Sequence, residues 1–424
     1  MKLSDFYSIL DKLNELELSP QITRVAEFYD EPKFLNYQCV FKIGRRHKKK
    51  LIVGSAFFSG LGFSINSPKD ALFKSLFEAM ERFCLDAYSQ DSIRYGRFSD
   101  NPRFFVNPTI FTKRPELIDR KFGWVGAVNL MTGKKCYIPA QLIFLHFLRN
   151  NKGEPLLDFP SISTGGAIGR SREQALLNGI YEVIERDSFM TIYLNKITPP
   201  KVDLEALGNK AVKLVLEKCA RYKLELYVLD ITCDLGIPVY CAVLIDRSGF
   251  GPAVSAGAKA GFSQIDAVLG AIGESFMVRN FVKRMLKNGS ILVGDNLKGT
   301  DVFSERAAYW IYPKTLKYIQ FLLSSSKSHH MPKSFGGQSK KAELDLAISI
   351  LKSHSLDLYA VDITPGIFKQ LGFWAYKVVM PQLQPLYLRE VEKGRVINPK
   401  RLREIADFFG KKYEGPNPIP HPFL

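Results

Sequence analysis

Hydrophobic positions along the chain follow two patterns. Leu72, Leu76, Ala79 and Phe83 recur at helical spacing, as do Leu176, Ile180 and Val183, and each set marks the apolar stripe of an amphipathic helix. Shorter runs of β-branched and aromatic residues read as strands at Tyr37–Ile43, Leu51–Ser55, Val239–Ile245 and Phe373–Met380. Met1 to Leu18 sets acids and lysines among apolar residues, which predicts an amphipathic helix and no signal-peptide stretch. The longest apolar run, near Gln141–Leu148, is far too short to cross a bilayer. A soluble, cytoplasmic protein without a membrane partner is expected.

These patterns recur in register. Three segments align without gaps: Ser59–Arg82, Ser163–Arg186 and Ser255–Val278, with Arg279 just beyond the last. Ser59, Ser163 and Ser255 correspond, followed by Ser67, Ser171 and Ser263, then Ala71, Ala175 and Ala267, then Glu78, Glu182 and Glu274. Each copy reads as a Gly-rich turn able to approach something closely, a Ser at the N-cap, and a helix. Pro68 stands at the favoured first helical position of the first copy. A second echo pairs Leu226–Thr232 with Leu358–Thr364, each a strand-like run closing on a turn. Asp230 and Asp362 at those turns read as turn formers in preference to ligands. Dissimilar segments separate the copies, so a solenoid is excluded. The expectation is one large α+β domain over residues 1–424, with strand–Gly turn–helix modules packed on mixed sheets. A helical lead-in at 1–36, a flexible loop at 324–341 and a Pro-rich tail at 415–424 complete it.

Composition adds charge to this picture. Lysine and arginine outnumber acids 59 to 42 in 424 residues, a formal charge of +17. That surplus suits anionic ligands of several kinds and does not choose among them. The basic run Arg45–Lys50 lies between two strand-like stretches and reads as a solvated hairpin turn. Its neighbours lack the interleaved aromatics of a single-strand groove, so nucleic acid is not the expected partner. The 6 cysteines include no C-x-x-C pair and read as reduced, mostly buried thiols.

Glu78, Glu81 and Arg82 share one helix face at i, i+3 and i+4, and Glu182, Glu185 and Arg186 repeat the spacing. One such triplet alone would be a solvated face with a local salt bridge. A solvated face needs no fixed register with a Gly turn and a cap, however, so the recurrence points to a site. Several carboxylates are suited to Mg²⁺, and guanidinium forks are suited to phosphate. The chain has neither a phosphate-binding loop ending in Gly-Lys-Ser/Thr nor a strand–GxGxxG–helix unit, so a nucleotide would bind here unconventionally. In the third copy Glu274 and Arg279 persist but the second Glu is gone.

Together with Ile138-Pro139-Ala140, Asp234–Pro238 and the run Pro381–Pro385, the Glu-x-x-Glu-Arg helices and paired Asp-Ile-Thr strands resemble the YcaO family, over about Tyr37 to Leu424. The resemblance implies an ATP-dependent enzyme that activates peptide backbone amides. It implies that Glu78, Glu81, Glu182 and Glu185 are catalytic and hold Mg²⁺ and the ATP phosphates. Arg82, Arg186, Glu274 and Arg279 would complete the cofactor site. Lys74, Asn178 and Met277 depart from the residues usual in the family. The tail Gly415–Leu424 resembles that of ring-forming members, although it ends in Leu424. His421 is a candidate base, with a structural role the favoured reading. The implied activity is cyclodehydration of a ribosomally made precursor peptide to thiazoline or oxazoline rings. The alternatives are backbone thioamidation with a sulfur donor, and a degenerate module that binds nucleotide or a partner without turnover. A leader-recognising E1-like or other protein acting in trans is the implied partner, and a homodimer is left open.

Overall fold

The computed structural model describes residues 2–43, 51–55, 57–151, 153–291, 303–329 and 338–423. The basic run Arg45–Lys50 and Leu424 lie outside the described residues. The chain opens with α1 (Leu3–Glu15), β1 (Leu18–Arg24), β2 (Leu35–Ile43), β3 (Phe57–Ser64) and α2 (Pro68–Asp86). Strands β4 (Ile93–Gly96), β5 (Phe122–Asn129), β6 (Lys134–Pro139) and β7 (Gly166–Gly169) precede the long helix α3 (Arg172–Leu194). Next come β8 (Lys201–Val202), α4 (Lys210–Arg221), β9 (Glu225–Asp230), β10 (Val239–Ile245), β11 (Val254–Ala260) and α5 (Gln264–Lys287). The remainder holds α6 (Phe303–Tyr309), β12 (Ser328–His329), α7 (Lys340–Ser353), β13 (Tyr359–Asp362), β14 (Trp374–Val379) and α8 (Pro399–Phe408).

The chain packs as two compact units. The first comprises Met1–Ala26, Leu35–Val183 and Ser339–Gln382; the second comprises Glu27–Phe34, Ile184–Gln338 and Leu383–Leu424. One crossing between them falls in the middle of α3. A boundary carried by a continuous helix leaves no Gly- or Pro-rich linker between the units.

The first unit holds a three-stranded antiparallel sheet, β1-β2-β3, and a second sheet in the order β4-β5-β13-β14-β7 with β6 paired to β5. Its core is aromatic. Trp124 stacks on Phe105 at 4.3 Å and donates its indole N–H to the Gly96 carbonyl, so its one polar atom is satisfied. The second unit holds one sheet, β11-β10-β9-β8-β12, in which only the β8–β12 pair is parallel. Every residue of β10 is buried, as its unbroken apolar run requires.

The Gly-rich segments run as strands where turns were expected, except that the second begins with a turn at Thr164–Gly165 before β7. Each ends a three-strand antiparallel run: β1-β2-β3, β13-β14-β7 and β9-β10-β11. What the glycine backbone approaches is the module's own helix. A Cβ on Gly62 would lie 1.8 Å from the Ala71 carbonyl oxygen of α2, and one on Gly257 would lie 2.4 Å from the Ser275 nitrogen of α5. Only glycine lets strand and helix backbones meet this closely.

The predicted caps form in two copies. The Ser67 hydroxyl accepts from the Asp70 N–H and Ser171 from the Gln174 N–H, whereas Ser263 donates to the Asp266 carboxylate. Asp230 and Asp362 make the predicted turns, each accepting from the Thr N–H two residues on at 2.9 Å.

Three smaller expectations change. The lead-in contains β1 and the start of β2 as well as a helix. Of Leu51–Ser55 only Ile52 pairs, in a bridge to Tyr88, because the Gly54 and Ser55 N–H groups go to the Asp86 carboxylate. Of the loop predicted at 324–341, Ser328–His329 pairs with β8 and Ser339 caps α7, while residues 330–337 lie outside the described residues. No described helix is long and apolar enough to cross a membrane.

Candidate functional site

The leading glutamate of each module is tied to its own strand. Glu78 accepts from the Leu61 N–H at 2.9 Å, Glu182 from Gly165 at 3.0 Å, and Glu274 from Ala258 at 3.4 Å. The same bond made three times fixes the carboxylate relative to the Gly-rich strand, so the register found in sequence has a packing cause.

In the first unit Glu78, Glu81 and Glu182 gather about Arg82. Burial works against the Arg82 charge, yet these three carboxylates outweigh it and hold the guanidinium above its ordinary pKa. Arg82 Nη2 lies 3.4 Å from Glu78. Lys377 of β14 belongs to the same charged group. Burial lowers its ammonium to about 8, against the pull of Glu182 and Glu81. Its Nζ donates to the carbonyls of Ile162 at 2.6 Å and Thr164 at 2.5 Å.

In the second unit α3 continues to Glu185, which is fully buried. Its carboxylate accepts from the Ala260 N–H at 3.2 Å and lies 3.4 Å from Arg186. Lys259 on β11 sits 3.9 Å from both Glu185 and Glu274. A fully buried carboxylate overturns the solvated-face reading for the second triplet. The reason is that Ile184, Asp187, Ser188 and Phe189 around it are buried too, whereas Glu182 and Arg186 on the same face keep partial exposure.

Arg279, expected at the cofactor, sits in a buried ion cluster. It is 2% exposed and forks onto Glu31, with further bonds to Asp246 at 2.7 Å and the Pro252 carbonyl at 3.1 Å. Lys283 closes the cluster onto Asp30 and Glu31. Arg279 thus staples the Glu27–Phe34 segment to the β10–β11 turn, with its three nitrogens all bonded inside the protein. Lys74, a departure from the family pattern, reaches the Phe63 carbonyl at 3.2 Å and so braces β3 on α2.

Sequence reasoning missed three groups. Arg401 forks onto Asp187 and onto Asp234, with the Gln384 N–H also on Asp187. This cluster anchors α8 to α3 one residue after Arg186. His146 contacts Asp86, the last residue of α2, through Nδ1. Lys377 was the most legible of the three, as a lone cation in an otherwise apolar strand.

The tail is packed and not free. The Asn417 N–H bonds the Leu194 carbonyl at 2.7 Å, and Tyr193 donates to the Pro420 carbonyl at 2.9 Å. Phe423 lies 4.2 Å beneath the Arg186 guanidinium. His421 is fully buried against Tyr387, and burial pushes its imidazole well below its usual range. A neutral ring bonded to the Tyr387 carbonyl at 3.0 Å serves structure, as favoured from sequence. The cysteines are unpaired, and burial raises the Cys39, Cys219 and Cys233 thiols to about 12, which makes them inert.

Among the described residues no three His, Cys, Asp or Glu side chains form a ready-made metal cage. The donor set still fits Mg²⁺ bound together with phosphate, because that ion takes one or two carboxylates and fills its shell with water and phosphate oxygens. Arg82 and Lys377 in one unit, and Arg186 and Lys259 in the other, are cations placed among those carboxylates.

The family model described as "YcaO cyclodehydratase", binding ATP and Mg²⁺, matches residues 64–384. The chain belongs to the YcaO family. Its backbone is similar to a heterocyclase solved in complex with substrate and cofactor, with a TM-score of 0.73 at 19% identity, covering 97% of this chain and 57% of that one. It is also similar to the YcaO protein of Methanopyrus kandleri bound with AMPPCP and Mg²⁺, with a TM-score of 0.63 at 18% identity, covering 93% of each chain. A curated relative, an uncharacterised protein in the tfuA 3′ region of Rhizobium leguminosarum bv. trifolii, is 26% identical over 133 residues. That match spans 31% of the relative's length. The structural likenesses establish the YcaO fold of mixed helix and sheet.

Proposed function

We propose that this YcaO protein is an ATP-dependent enzyme that activates backbone amides of a precursor peptide and closes thiazoline or oxazoline rings. The observation that carries the proposal is the charged group of Glu78, Glu81, Glu182, Arg82 and Lys377, with Glu185 one turn further along α3. In this reading Glu78, Glu81, Glu182 and Glu185 hold Mg²⁺ and orient the phosphates. ATP, when bound, supplies the phosphoryl group that makes an amide oxygen able to leave. The protein's own task is positioning and charge. The backbone N–H bonds to Glu78, Glu182 and Glu185 hold those carboxylates in fixed orientations before a ligand arrives. Arg82 and Arg186 offset negative charge that builds on transferred oxygens. Phe423 stacked on Arg186 supports a tail that bears on this site. The partner is a leader-recognising protein in trans, by the family resemblance.

Thioamidation is the second reading, favoured by the same site because both reactions begin with amide activation. Phosphate release from ATP, measured with candidate peptide and partner, tests the enzyme reading. None under any condition would leave a binding module. The peptide's mass decides between the chemistries: a loss of about 18 Da per site means ring closure, and a gain of about 16 Da means exchange of oxygen for sulfur.

A further inference from the structure

The three module glutamates make one bond in two different settings. Leu61 and Ala258, the donors to Glu78 and Glu274, lie inside paired strands, opposite Gln38 and Cys241. A ladder holds each of those N–H groups in place. The donor to Glu182 is Gly165, with φ of 86°, one residue before β7 begins. Its N–H is aimed by a turn, and a turn needs other fastening.

That fastening is on β14. The Val378 N–H bonds the Gly165 carbonyl at 2.9 Å. Lys377, paired with Gly166 across the β14–β7 register, sends its ammonium to the Ile162 and Thr164 carbonyls. The turn has no slack on its other sides. A Cβ on Gly165 would lie 2.3 Å from the Val378 oxygen, and one on Gly179 of α3 would lie 2.7 Å from the Gly165 oxygen. Lys377 is 2% exposed between Ala375 and Val379. An ammonium in such a place is costly unless its hydrogen bonds are needed.

We propose that Lys377 is a positioning residue for Glu182: it pins the Ile162–Thr164 turn so that the Gly165 N–H holds the Glu182 carboxylate toward the metal–nucleotide site. This rests on the proposed role of Glu182. Removing an outer partner that orients a metal ligand typically weakens metal binding ~10- to 100-fold, and Lys377 belongs in that class.

The test is calorimetric titration of the full chain with AMPPCP at fixed Mg²⁺, using Lys377→Met, Lys377→Arg, Glu182→Gln and the double variant Lys377→Met/Glu182→Gln. Lys377→Met is expected to weaken binding about tenfold, and Lys377→Arg, which keeps the donors, to restore most of it. Added to Glu182→Gln, Lys377→Met should weaken binding clearly less than it does alone, because its positioning effect runs through that carboxylate. Effects that multiply in the double variant, or wild-type affinity for Lys377→Met, overturn the proposal. Wild-type affinity for Glu182→Gln instead overturns the site reading beneath it. If Lys377→Met fails to fold, Lys377→Gln, which keeps N–H donors without the charge, enters the same cycle.

Discussion

Replacing Gly62 with alanine puts a methyl carbon 1.8 Å from the Ala71 carbonyl oxygen and 2.5 Å from the Ser75 nitrogen. Both obstacles are helix backbone, so no side chain can swing away. Ordinary contact requires α2 to retreat from β3 by more than an ångström, and that retreat stretches the Leu61–Glu78 hydrogen bond. Overpacking of this kind costs about 1–3 kcal/mol, and a lost hydrogen bond to a charged group adds about 1.5–3 kcal/mol. A loss of at least about 2.5 kcal/mol is expected. Gly126→Ala is the matched control, since its Cβ would meet only Tyr137 at 3.8 Å. Urea unfolding followed by tryptophan fluorescence reads the effect, because Trp124 and Trp374 both lie in the first unit. If Gly62→Ala shifts the midpoint no more than Gly126→Ala does, the strand–helix account of the glycines is wrong.

Four positions remain. Arg401→Met would leave Asp187 and Asp234 facing each other without their cation, and a loss of about 3–5 kcal/mol is expected in chemical denaturation; a loss under about 1 kcal/mol would mean that the cluster is not a structural anchor. Burial raises Glu154 from 4.5 to about 7, so the stability its proton contributes is present below pH 4.5 and lost as pH rises through 7. Glu154→Gln should flatten the stability profile over that window, by up to ~3 kcal/mol, and an unchanged profile would contradict the assignment. Arg279→Lys should lower the melting temperature by loss of the fork onto Glu31 while folded protein binds Mg²⁺·AMPPCP within about twofold of wild type. A tenfold loss of nucleotide affinity in stable Arg279→Lys would return that residue to the cofactor site. Truncation before Pro420 should expose Arg186 and loosen α3, seen as faster amide exchange at Glu185–Tyr193.

Local chemistry was the legible part of this chain. Ser67 and Ser171 cap, Asp230 and Asp362 turn, and the gapless register of three glutamates marks three equivalent helices. The Gly-rich strands were hidden because glycine carries little strand signal, and its close approach to a helix has no sequence period. Long-range pairings were hidden for another reason. Arg279 meets Glu31 across 248 residues and Arg401 meets Asp187 across 214, and nothing local announces either partner. Glu185 illustrates the same limit. Its i+3 place beside Glu182 is plain in sequence, but its burial depends on the packing around α3.

The central claim is that the repeated Glu-x-x-Glu-Arg helices hold a magnesium–nucleotide complex. Its most direct test is calorimetric titration of wild type, Glu78→Gln and Glu185→Gln with AMPPCP, in Mg²⁺ and in EDTA. The account predicts binding by wild type that depends on Mg²⁺ and falls at least about tenfold in each variant, with circular dichroism unchanged. Undiminished binding by either folded variant, or equal affinity in EDTA, would contradict it.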